Sequence, residues 1–308
     1  MNNPIKIRMG GYGPPSTGFS KSLKFIGDKL TVQFSEDVTI DYVFNIMDHG
    51  HKAEDILTLV EKGDITLGYQ SSSYLTDRVP ELGFVDLPFL FSSNAQARSA
   101  MDGELGDFLV RKTEERINYR ILGWFENGFR QISNRLRPIH SPADMKGMKI
   151  RVLPSEIHRR TFELVGAVAM RMDLTEAIAM IKAGTLDAQE NPLANTVTYG
   201  VHKIHKFHTL SNHFYISRPI FLHRPSFEAW PDDLKRAMRL TVKEAVAYQR
   251  KLAFEENDQS YKAIEAEGCE INALTPGEHD AFVAAVQPLL GEARKTYGDE
   301  MFRMIPKV

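Results

Sequence analysis

The sequence has almost no cysteine and no long apolar run, and both absences exclude classes of protein. Cys269 is the single cysteine among 308 residues, which rules out an internal disulfide framework and a metal site built from several cysteines. No run of about 18 apolar residues occurs, so the sequence predicts no transmembrane helix. With 43% hydrophobic residues, the composition is that of an ordinary globular protein.

An excess of charge of either sign is also absent. The formal net charge is −2, which gives no electrostatic reason to expect nucleic acid or an anionic membrane surface as a partner. Residues 1–6 lack the apolar core of a secretory signal. The chain is therefore either cytoplasmic or the mature part of an exported protein.

Several enzyme signatures are missing as well. The sequence contains no nucleophile elbow, no Walker loop and no lysine in a recognisable Schiff-base setting. Gly11, Gly13 and Ser16 partly match a dinucleotide-binding loop, but Pro14 and Pro15 lack the N–H groups with which such a loop holds phosphate. The loop predicts a tight turn or a contact with another small ligand, and we expect no cofactor.

Two groups of histidines stand out, but neither matches a known metal-binding spacing. His49 and His51 lie in a polar turn, and His202, His205 and His208 recur three residues apart. No glutamate stands in a His-Glu-x-x-His frame, and two lysines interrupt the second group. We therefore predict surface or interface histidines and no metal site.

The stretch from Asp144 to Thr196 carries the clearest pattern of the chain. Met148–Leu153 alternates like a half-buried strand, with Arg151 in the middle. A helix, a strand, a second helix and a third strand follow, and they lead to Asn191. This β-α-β-α-β order predicts a parallel sheet, in which ligands bind beyond the carboxyl ends of the strands. Arg151 and Asn191 can therefore face one crevice.

The chemistry of arginine makes this strand a candidate anion site. A guanidinium held by a strand presents a planar fork of donors that matches a carboxylate. The alternative is that Arg151 is an exposed residue on an edge strand. The sequence pattern alone does not decide between this alternative and an anion site. Arg130 is a second candidate anion contact, with a solvated basic residue as its alternative.

The first half of the chain repeats this organisation. Ala53–Gln70 reads as a helix, a glycine and a short strand, and aligning its glycine with Gly184 places Gln70 on Asn191. We infer two similar α/β halves facing each other across a cleft, with Gln70–Tyr74 directed to it. Chance similarity between two helix-turn-strand units is the alternative.

A long helix and the domain boundaries complete the prediction. Asp232–Glu267 contains no helix breaker and carries one continuous apolar stripe. It predicts a helix of roughly 50 Å, which must run along both domains. The predicted divisions are residues 1–124, with part of the C-terminal region, as domain I and 125–214 as domain II. Residues 215–308 then hold the return strand, the long helix and closing C-terminal helices.

Four ordered runs resemble the solute-binding proteins of the tripartite ATP-independent periplasmic (TRAP) transporters, the DctP-like family. They are Asn127–Gln131, Ser141–Val152, Asp187–Leu193 and Ser211–His213. The resemblance covers nearly the whole chain. It implies a two-domain periplasmic-binding-protein-like α/β fold with an interdomain cleft and a long helix spanning both domains. The implied function is a periplasmic receptor that captures a small organic acid by domain closure and delivers it to TRAP membrane subunits.

The resemblance also implies roles for single residues. Arg151 would clamp the ligand carboxylate, Arg130 would be a second basic contact and Asn191 would orient the carboxylate. Leu174 stands where sialic-acid-binding members place a phenylalanine, and Ser71 stands where the family has a glutamate. Because Ser71 leaves fewer polar partners for the hydroxyl groups of a ligand such as sialic acid, we predict an aromatic or short 2-oxo acid as the ligand.

The remaining predicted ligand contacts are Tyr12, Gln70, His213 and Phe214. An enzyme acting on a small carboxylate in the same cleft is the competing function, for which Glu190 and His213 could form an acid–base pair. A cytoplasmic ligand sensor is a third possibility. For the receptor we expect no catalytic residue.

Overall fold

The computed structural model describes residues 4–307 and divides them into two compact units. The first holds residues up to Ser71, Phe108–Glu126 and Ser217–Phe254, and the second holds Ser72–Asp107, Asn127–Ile216 and the chain from Glu255 onward. The predicted boundaries at 124 and 214 lie close to two of these junctions. Residues 72–107, which the prediction assigned to domain I, belong to the second compact unit.

Strands and helices alternate along the described chain. The strands are β1 (Ile5–Gly10), β2 (Val38–Val43), β3 (Leu67–Tyr69), β4 (Tyr119–Phe129), β5 (Gln131–Asn134), β6 (Lys149–Val152), β7 (Val168–Arg171), β8 (Ala188–Asn191), β9 (Phe207–Leu210), β10 (Tyr215–His223) and β11 (Glu270–Ala273). The helices are α1 (Gly18–Phe34), α2 (Asp55–Lys62), α3 (Asn94–Met101), α4 (Glu104–Arg116), α5 (Glu156–Leu164), α6 (Leu174–Lys182), α7 (Leu193–Thr198), α8 (Arg224–Ala229), α9 (Asp232–Ala266), α10 (Pro276–Ala285) and α11 (Gln287–Arg303).

The sheet of the first unit has the order β2-β1-β3-β10-β4. Strand β1 runs parallel to both β2 and β3, and β10 runs antiparallel to β3. Helix α1 begins where the Thr17 side chain accepts a hydrogen bond from Ser20 N, which satisfies one of the free N–H groups of the first turn. Leu23, Ile26 and Leu30 lie about one helical turn apart and are fully buried.

The sheet of the second unit has the order β11-β9-β5-β8-β6-β7. Strands β7, β6 and β8 are parallel, which confirms the predicted β-α-β-α-β order, and β5 runs antiparallel to β8 and β9. Strand β6 therefore lies inside the sheet. The edge-strand alternative for Arg151 is wrong.

The side chains of β6 and β8 point alternately to the two faces of this sheet. Ile150, Val152 and Ala188 belong to the hydrophobic core of the unit. Arg151 and Gln189 are register partners, so both point to the opposite face. Asn191 lies two residues beyond Gln189, at the carboxyl end of β8, and shares the face of Arg151.

The predicted long helix is confirmed. Helix α9 has 35 residues, Asp232–Ala266, or about 52 Å at 1.5 Å per residue. Its residues up to Phe254 belong to the first unit and the rest to the second. None of the helices in the described chain combines the length and hydropathy needed to cross a membrane.

Two predicted elements differ from the structure. The apolar run Phe84–Phe91 carries a proline and predicts an extended segment, but the chain forms a 3-10 helix over Pro80–Asp86. The sequence predicts a single helix over residues 95–116, but α3 ends at Met101 and α4 begins at Glu104. A Cβ on Gly106 would lie 1.8 Å from Met101 O, so the close packing at this turn depends on a glycine.

Each unit has a helical glycine whose substitution by alanine tests how closely its surroundings are packed. A Cβ on Gly27 of α1 would lie 1.9 Å from Tyr42 Oη, whereas nothing lies within 4 Å of a Cβ on Gly291 of α11. Gly27→Ala should lower the free energy of unfolding by about 1–3 kcal/mol, because the partly buried side chains of Tyr42 and Ile40 must move away from the new methyl group. Gly291→Ala should raise it by about 0.5–1 kcal/mol through helix propensity. Urea unfolding measures both, and equal stability of the two variants would contradict this packing.

Candidate functional site

Arg151 is buried, with 1% of its side chain exposed. Its Nε and Nη2 both donate to Met172 O at 3.1 Å, and Nη2 also donates to Tyr74 Oη at 3.1 Å. Met172 follows β7, the neighbour of β6. The guanidinium is therefore fixed at the carboxyl end of the parallel strands, the position that the sequence predicts for a ligand site.

The Tyr74 hydroxyl joins Arg151 to the first turn of α6. Its oxygen accepts a hydrogen bond from Leu174 N at 3.1 Å and donates to Asp173 Oδ2 at 3.4 Å. Asp173 Oδ1 in turn accepts from Thr175 N at 2.8 Å and caps the helix. The sequence places Tyr74 in a crevice-facing segment, but no spacing pattern marks it as the partner of Arg151.

Arg130 forms a buried ion pair with Glu190. The Arg130 side chain is 1% exposed and that of Glu190 is 0% exposed, so the solvated alternative for Arg130 is wrong. Its Nε and Nη2 donate to the carboxylate of Glu190, and Nη2 also donates to the backbone carbonyl of Glu190. Burial alone would raise the pKa of Glu190, but the Arg130 guanidinium and His213 hold it well below its usual range.

His213 completes this pair. Its Nδ1 lies 2.7 Å from Ser211 Oγ, and its Nε2 lies 3.5 Å from Glu190 Oε2. Burial lowers the pKa of His213 more than the adjacent carboxylate raises it, so the ring is neutral at pH 7. Glu190 is held ionised by Arg130, which makes it a weak base. The geometry gives no support to an acid–base pair of Glu190 and His213.

A second buried carboxylate, Asp86, lies near this cluster. His158 Nε2 is 3.6 Å from Asp86 Oδ1, and both side chains are fully buried. Ser73 Oγ donates to Asp86 Oδ1 at 2.7 Å, and the His158 ring stacks on Phe214 with 3.9 Å between centroids. Burial raises the pKa of Asp86 to about 7 and lowers the pKa of His158 to about 3. The sequence gives no sign of this pair, because its members are distant in the chain.

Asn191 and Leu174 lie on the Arg151 side of the second unit. Asn191 is the last residue of β8, and its Oδ1 accepts a hydrogen bond from Asn195 Nδ2 at 3.2 Å. Leu174 is the first residue of α6 and its side chain is buried. Arg151 and Asn191 thus share one face of the sheet, and the backbone N of Leu174 lies at the Tyr74 hydroxyl that Arg151 also contacts.

The other predicted contacts lie in the first unit. Tyr12 is buried and its ring centroid is 5.4 Å from that of Tyr69. The Gln70 amide is engaged within the unit, because Nε2 donates to Ala53 O at 2.8 Å and Oε1 accepts from Ser71 N at 2.9 Å. Ser71 is buried, and its contact with a ligand stays a prediction.

Sequence reasoning missed Arg218 in the first unit. This arginine is buried in β10, and its guanidinium lies 4.0 Å from the ring centroid of Phe19 and 5.0 Å from that of Tyr12. Such distances are typical of cation–π contacts. The available signal was a charged residue inside an apolar strand, the same signal that marks Arg151.

The two histidine groups differ in their surroundings. His49 and His51 are exposed, as predicted. His202, His205 and His208 are buried, so their predicted surface placement is wrong. Burial lowers the pKa of His205 to about 3 and the pKa of His208 to about 4. Among residues 4–307, no cluster of three histidine, cysteine, aspartate or glutamate side chains could hold a metal ion.

The Arg130–Glu190 pair predicts a large loss of stability when one partner is neutralised. Glu190→Gln leaves a guanidinium buried without its counter-charge and should lower the free energy of unfolding by about 3–5 kcal/mol. Glu163→Gln is the matched control, because Glu163 pairs with Arg159 at the surface and should change stability by less than about 0.5 kcal/mol. Chemical denaturation at pH 7 measures both, and a Glu190→Gln protein as stable as the control would refute this role.

The raised pKa of Asp86 predicts a pH-dependent difference between Asp86→Asn and wild type. The folded protein keeps the Asp86 proton up to about pH 7, whereas the unfolded chain releases it near pH 4. Folding therefore takes up a proton in this window, and the contribution of Asp86 to stability falls as pH rises from about 4 to about 7.

Asp86→Asn removes this loss of stability. The free energy of unfolding of the variant, relative to wild type, should rise by several kcal/mol between about pH 4 and pH 8, because a pKa difference of one between folded and unfolded chain is worth about 1.4 kcal/mol. Asp280→Asn is the control, since Asp280 is 83% exposed. A pH-independent difference for Asp86→Asn would show that the pKa of Asp86 is nearly the same in the folded and unfolded chain and would refute this prediction.

Comparison with known proteins identifies the family. Residues 44–296 match the family described as bacterial extracellular solute-binding protein, family 7 (DctP). The 2,3-diketo-L-gulonate-binding periplasmic protein YiaO of Escherichia coli is 29% identical over 76% of this chain and 70% of its own length. The C4-dicarboxylate-binding periplasmic protein DctP of Rhodobacter capsulatus is 27% identical over 72% of this chain and 66% of its own length.

Solved structures share the fold over almost the entire chain. The sugar acid binding protein DctPAm of Advenella mimigardefordensis, in complex with galactonate, superimposes with a TM-score of 0.93 at 24% identity and covers 99% of this chain and 97% of its own. A TRAP periplasmic solute-binding protein of Sulfurospirillum deleyianum with bound succinate gives 0.91 at 26% identity and covers 99% of both chains. The fold predicted from the sequence is confirmed, and the protein belongs to family 7 of the bacterial extracellular solute-binding proteins, the family of the TRAP transporter receptors.

Proposed function

We propose that this protein binds a small organic acid through Arg151 and presents it to a TRAP transporter. Membership of a solute-binding family supports a receptor and counts against the competing enzyme. A periplasmic location and delivery to TRAP membrane subunits are part of the proposal and rest on the family alone. The choice of ligand class and anchor rests on the surroundings of Arg151.

The observation that carries the proposal is the uncharged character of the groups that Arg151 contacts. Its hydrogen-bond acceptors are a backbone carbonyl and a phenol oxygen, and that phenol in turn donates to Asp173. A buried charge without a counter-charge is costly. A ligand carboxylate would supply that counter-charge and would gain charge-assisted hydrogen bonds.

Arg130 differs from Arg151 in this respect. Glu190 already neutralises the Arg130 guanidinium within the unit, so a ligand there gains hydrogen bonds but little net charge attraction. We therefore assign the anchor to Arg151 and keep Arg130 as a predicted secondary contact. Asn191, at the carboxyl end of β8 on the face of Arg151, supplies an amide that would orient the carboxylate.

The relatives indicate the chemical class of the ligand. YiaO is named for 2,3-diketo-L-gulonate and the Rhodobacter protein for C4-dicarboxylates, and the two structural neighbours hold galactonate and succinate. All of these ligands are carboxylates. The preference for an aromatic or short 2-oxo acid, inferred from fewer polar partners at Ser71, stays a prediction within that class.

Thermal-shift measurements test the ligand class. The panel contains succinate, galactonate, glucuronate, phenylpyruvate and neutral galactose. A ligand that binds only the folded state raises the melting temperature with the logarithm of its concentration over Kd. We expect a shift with one or more acids and none with galactose. Mass spectrometry should recover the acid unchanged, since conversion would favour the enzyme.

Substitutions of Arg151 test the anchor. Arg151→Met should weaken binding of the best acid about 100-fold or more, because the carboxylate loses its charged partner. Arg151→Lys should recover only part of the affinity, since an ammonium cannot reproduce the planar fork. Arg159→Met, on the surface of α5, is the control and should bind like wild type. Titration calorimetry gives the four dissociation constants, and wild-type affinity of Arg151→Met would refute the anchor.

A further inference from the structure

A chain of buried hydrogen bonds links the side chain of Asn191 to helix α7. Gln189 and Asn191 lie on β8, Thr196 lies on α7, and each of the three is at most 3% exposed. Gln189 Nε2 donates to Thr196 Oγ1 at 3.3 Å, and Asn191 Nδ2 donates to Gln189 Oε1 at 3.5 Å. A side-chain amide has a donor end and an acceptor end of similar shape, so the partners of the two ends decide its orientation.

The direction of this chain is set at Thr196. A threonine hydroxyl has one hydrogen, and Thr196 Oγ1 donates it to Pro192 O at 3.3 Å. The same oxygen therefore accepts from Gln189, which must turn its Nε2 toward Thr196. Gln189 Oε1 then faces Asn191, where an N–H group can meet it and a carbonyl cannot. Thr196 and Gln189 thus place Nδ2 of Asn191 on the Gln189 side.

Asn195 fixes the opposite end of the Asn191 amide. Asn191 Oδ1 accepts a hydrogen bond from Asn195 Nδ2 at 3.2 Å, and the same nitrogen donates to Asn127 Oδ1 at 3.5 Å. A reversed Asn191 amide would turn its N–H group toward that of Asn195 and its oxygen toward Gln189 Oε1. Both hydrogen bonds would be lost inside a buried site, which is costly. The Asn191 amide is therefore held in one orientation from both sides.

This orientation places an N–H donor on the Arg151 side of Asn191. Gln189 is the register partner of Arg151, so the end of the Asn191 amide that faces Gln189 also faces back toward Arg151. Asn191 Nδ2 carries two hydrogens, and its one acceptor in the described part of the chain is Gln189 Oε1. The second hydrogen can bond to a ligand. A carboxylate accepts hydrogen bonds and donates none, so an N–H group there attracts it and a carbonyl would repel it.

We propose that Gln189, Thr196 and Asn195 are positioning residues, which turn the N–H end of Asn191 toward the carboxylate that Arg151 binds. This inference rests on the proposed function and extends it to residues that act through Asn191. An asparagine free to rotate offers either a donor or an acceptor and does not discriminate between ligand groups. With its orientation fixed, Asn191 selects a ligand group that accepts hydrogen bonds over one that donates them.

Removal of the Thr196 hydroxyl tests the proposal. The probe is whichever of succinate, galactonate, glucuronate and phenylpyruvate raises the melting temperature of the wild-type protein most. Thr196→Val keeps the shape of the side chain but no longer holds the Gln189 amide, and we expect Kd to rise about three- to tenfold. Thr196→Ser retains the hydroxyl and should bind within about twofold of wild type. Titration calorimetry gives these constants.

A second variant and a matched control accompany Thr196→Val. Asn195→Leu removes the donor at the other end of the Asn191 amide, should weaken binding to a similar extent, and decides the question if Thr196→Val folds poorly. Thr161→Val is the control, because Thr161 is also a buried helical threonine whose hydroxyl donates to the carbonyl four residues earlier, Ile157 O, at 2.8 Å. It lies on α5 and should bind the probe like wild type.

A double-mutant cycle with Asn191→Ala separates positioning from general destabilisation. Asn191→Ala should itself weaken binding. If the other residues act through Asn191, Thr196→Val and Asn195→Leu should each change Kd by less than about twofold in the Asn191→Ala background. An equal loss in both backgrounds would overturn the proposal, because the residues would then act without Asn191. Wild-type affinity of Thr196→Val, Asn195→Leu or Asn191→Ala would overturn it as well.

The Arg151→Met variant distinguishes this failure from failure of the proposed function. If Arg151→Met loses affinity for the probe while Thr196→Val and Asn195→Leu bind like wild type, the anchor stands and the positioning role is wrong. If Arg151→Met binds like wild type, or if none of the four acids binds the wild-type protein, the anchor is wrong and the positioning role fails with it.

Discussion

The cost of keeping a guanidinium away from water is the constraint around which the second unit is arranged. Two arginines are buried there, and they differ in the groups that contact their guanidinium. Arg130 has a carboxylate beside it, and the pair ties β5 to β8 as part of the framework. Arg151 has only neutral acceptors. A backbone carbonyl and a phenol hold this guanidinium in place, and the proposed role of Arg151 as anchor rests on that arrangement.

Local patterns predicted the fold and drew attention to Arg151, whose role as ligand anchor stays a prediction. The parallel strands around β6 and the helix α9 follow from periodicity and from the absence of breakers, both of which are properties of neighbouring residues. Arg151 could be found because a charged residue interrupts an apolar strand. The same reasoning, applied to β10, would have found Arg218.

The features that the sequence did not predict depend on contacts between residues far apart in the chain, which local sequence patterns do not reveal. Tyr74 and Arg151 are 77 residues apart, and the pairing of Asp86 with His158 depends on how a 3-10 helix packs against α5. The buried histidines resemble surface residues in the sequence, since polarity alone predicts exposure. Residues 84–91 were misjudged because a short apolar run with a proline fits several conformations.

The division of the chain into interleaved segments affects how the protein is made. Neither unit is continuous, and the first requires residues 217–254 of β10 and α9 before it is complete. A nascent chain therefore cannot close either core until most of it has been synthesised, and contacts between such distant residues form slowly.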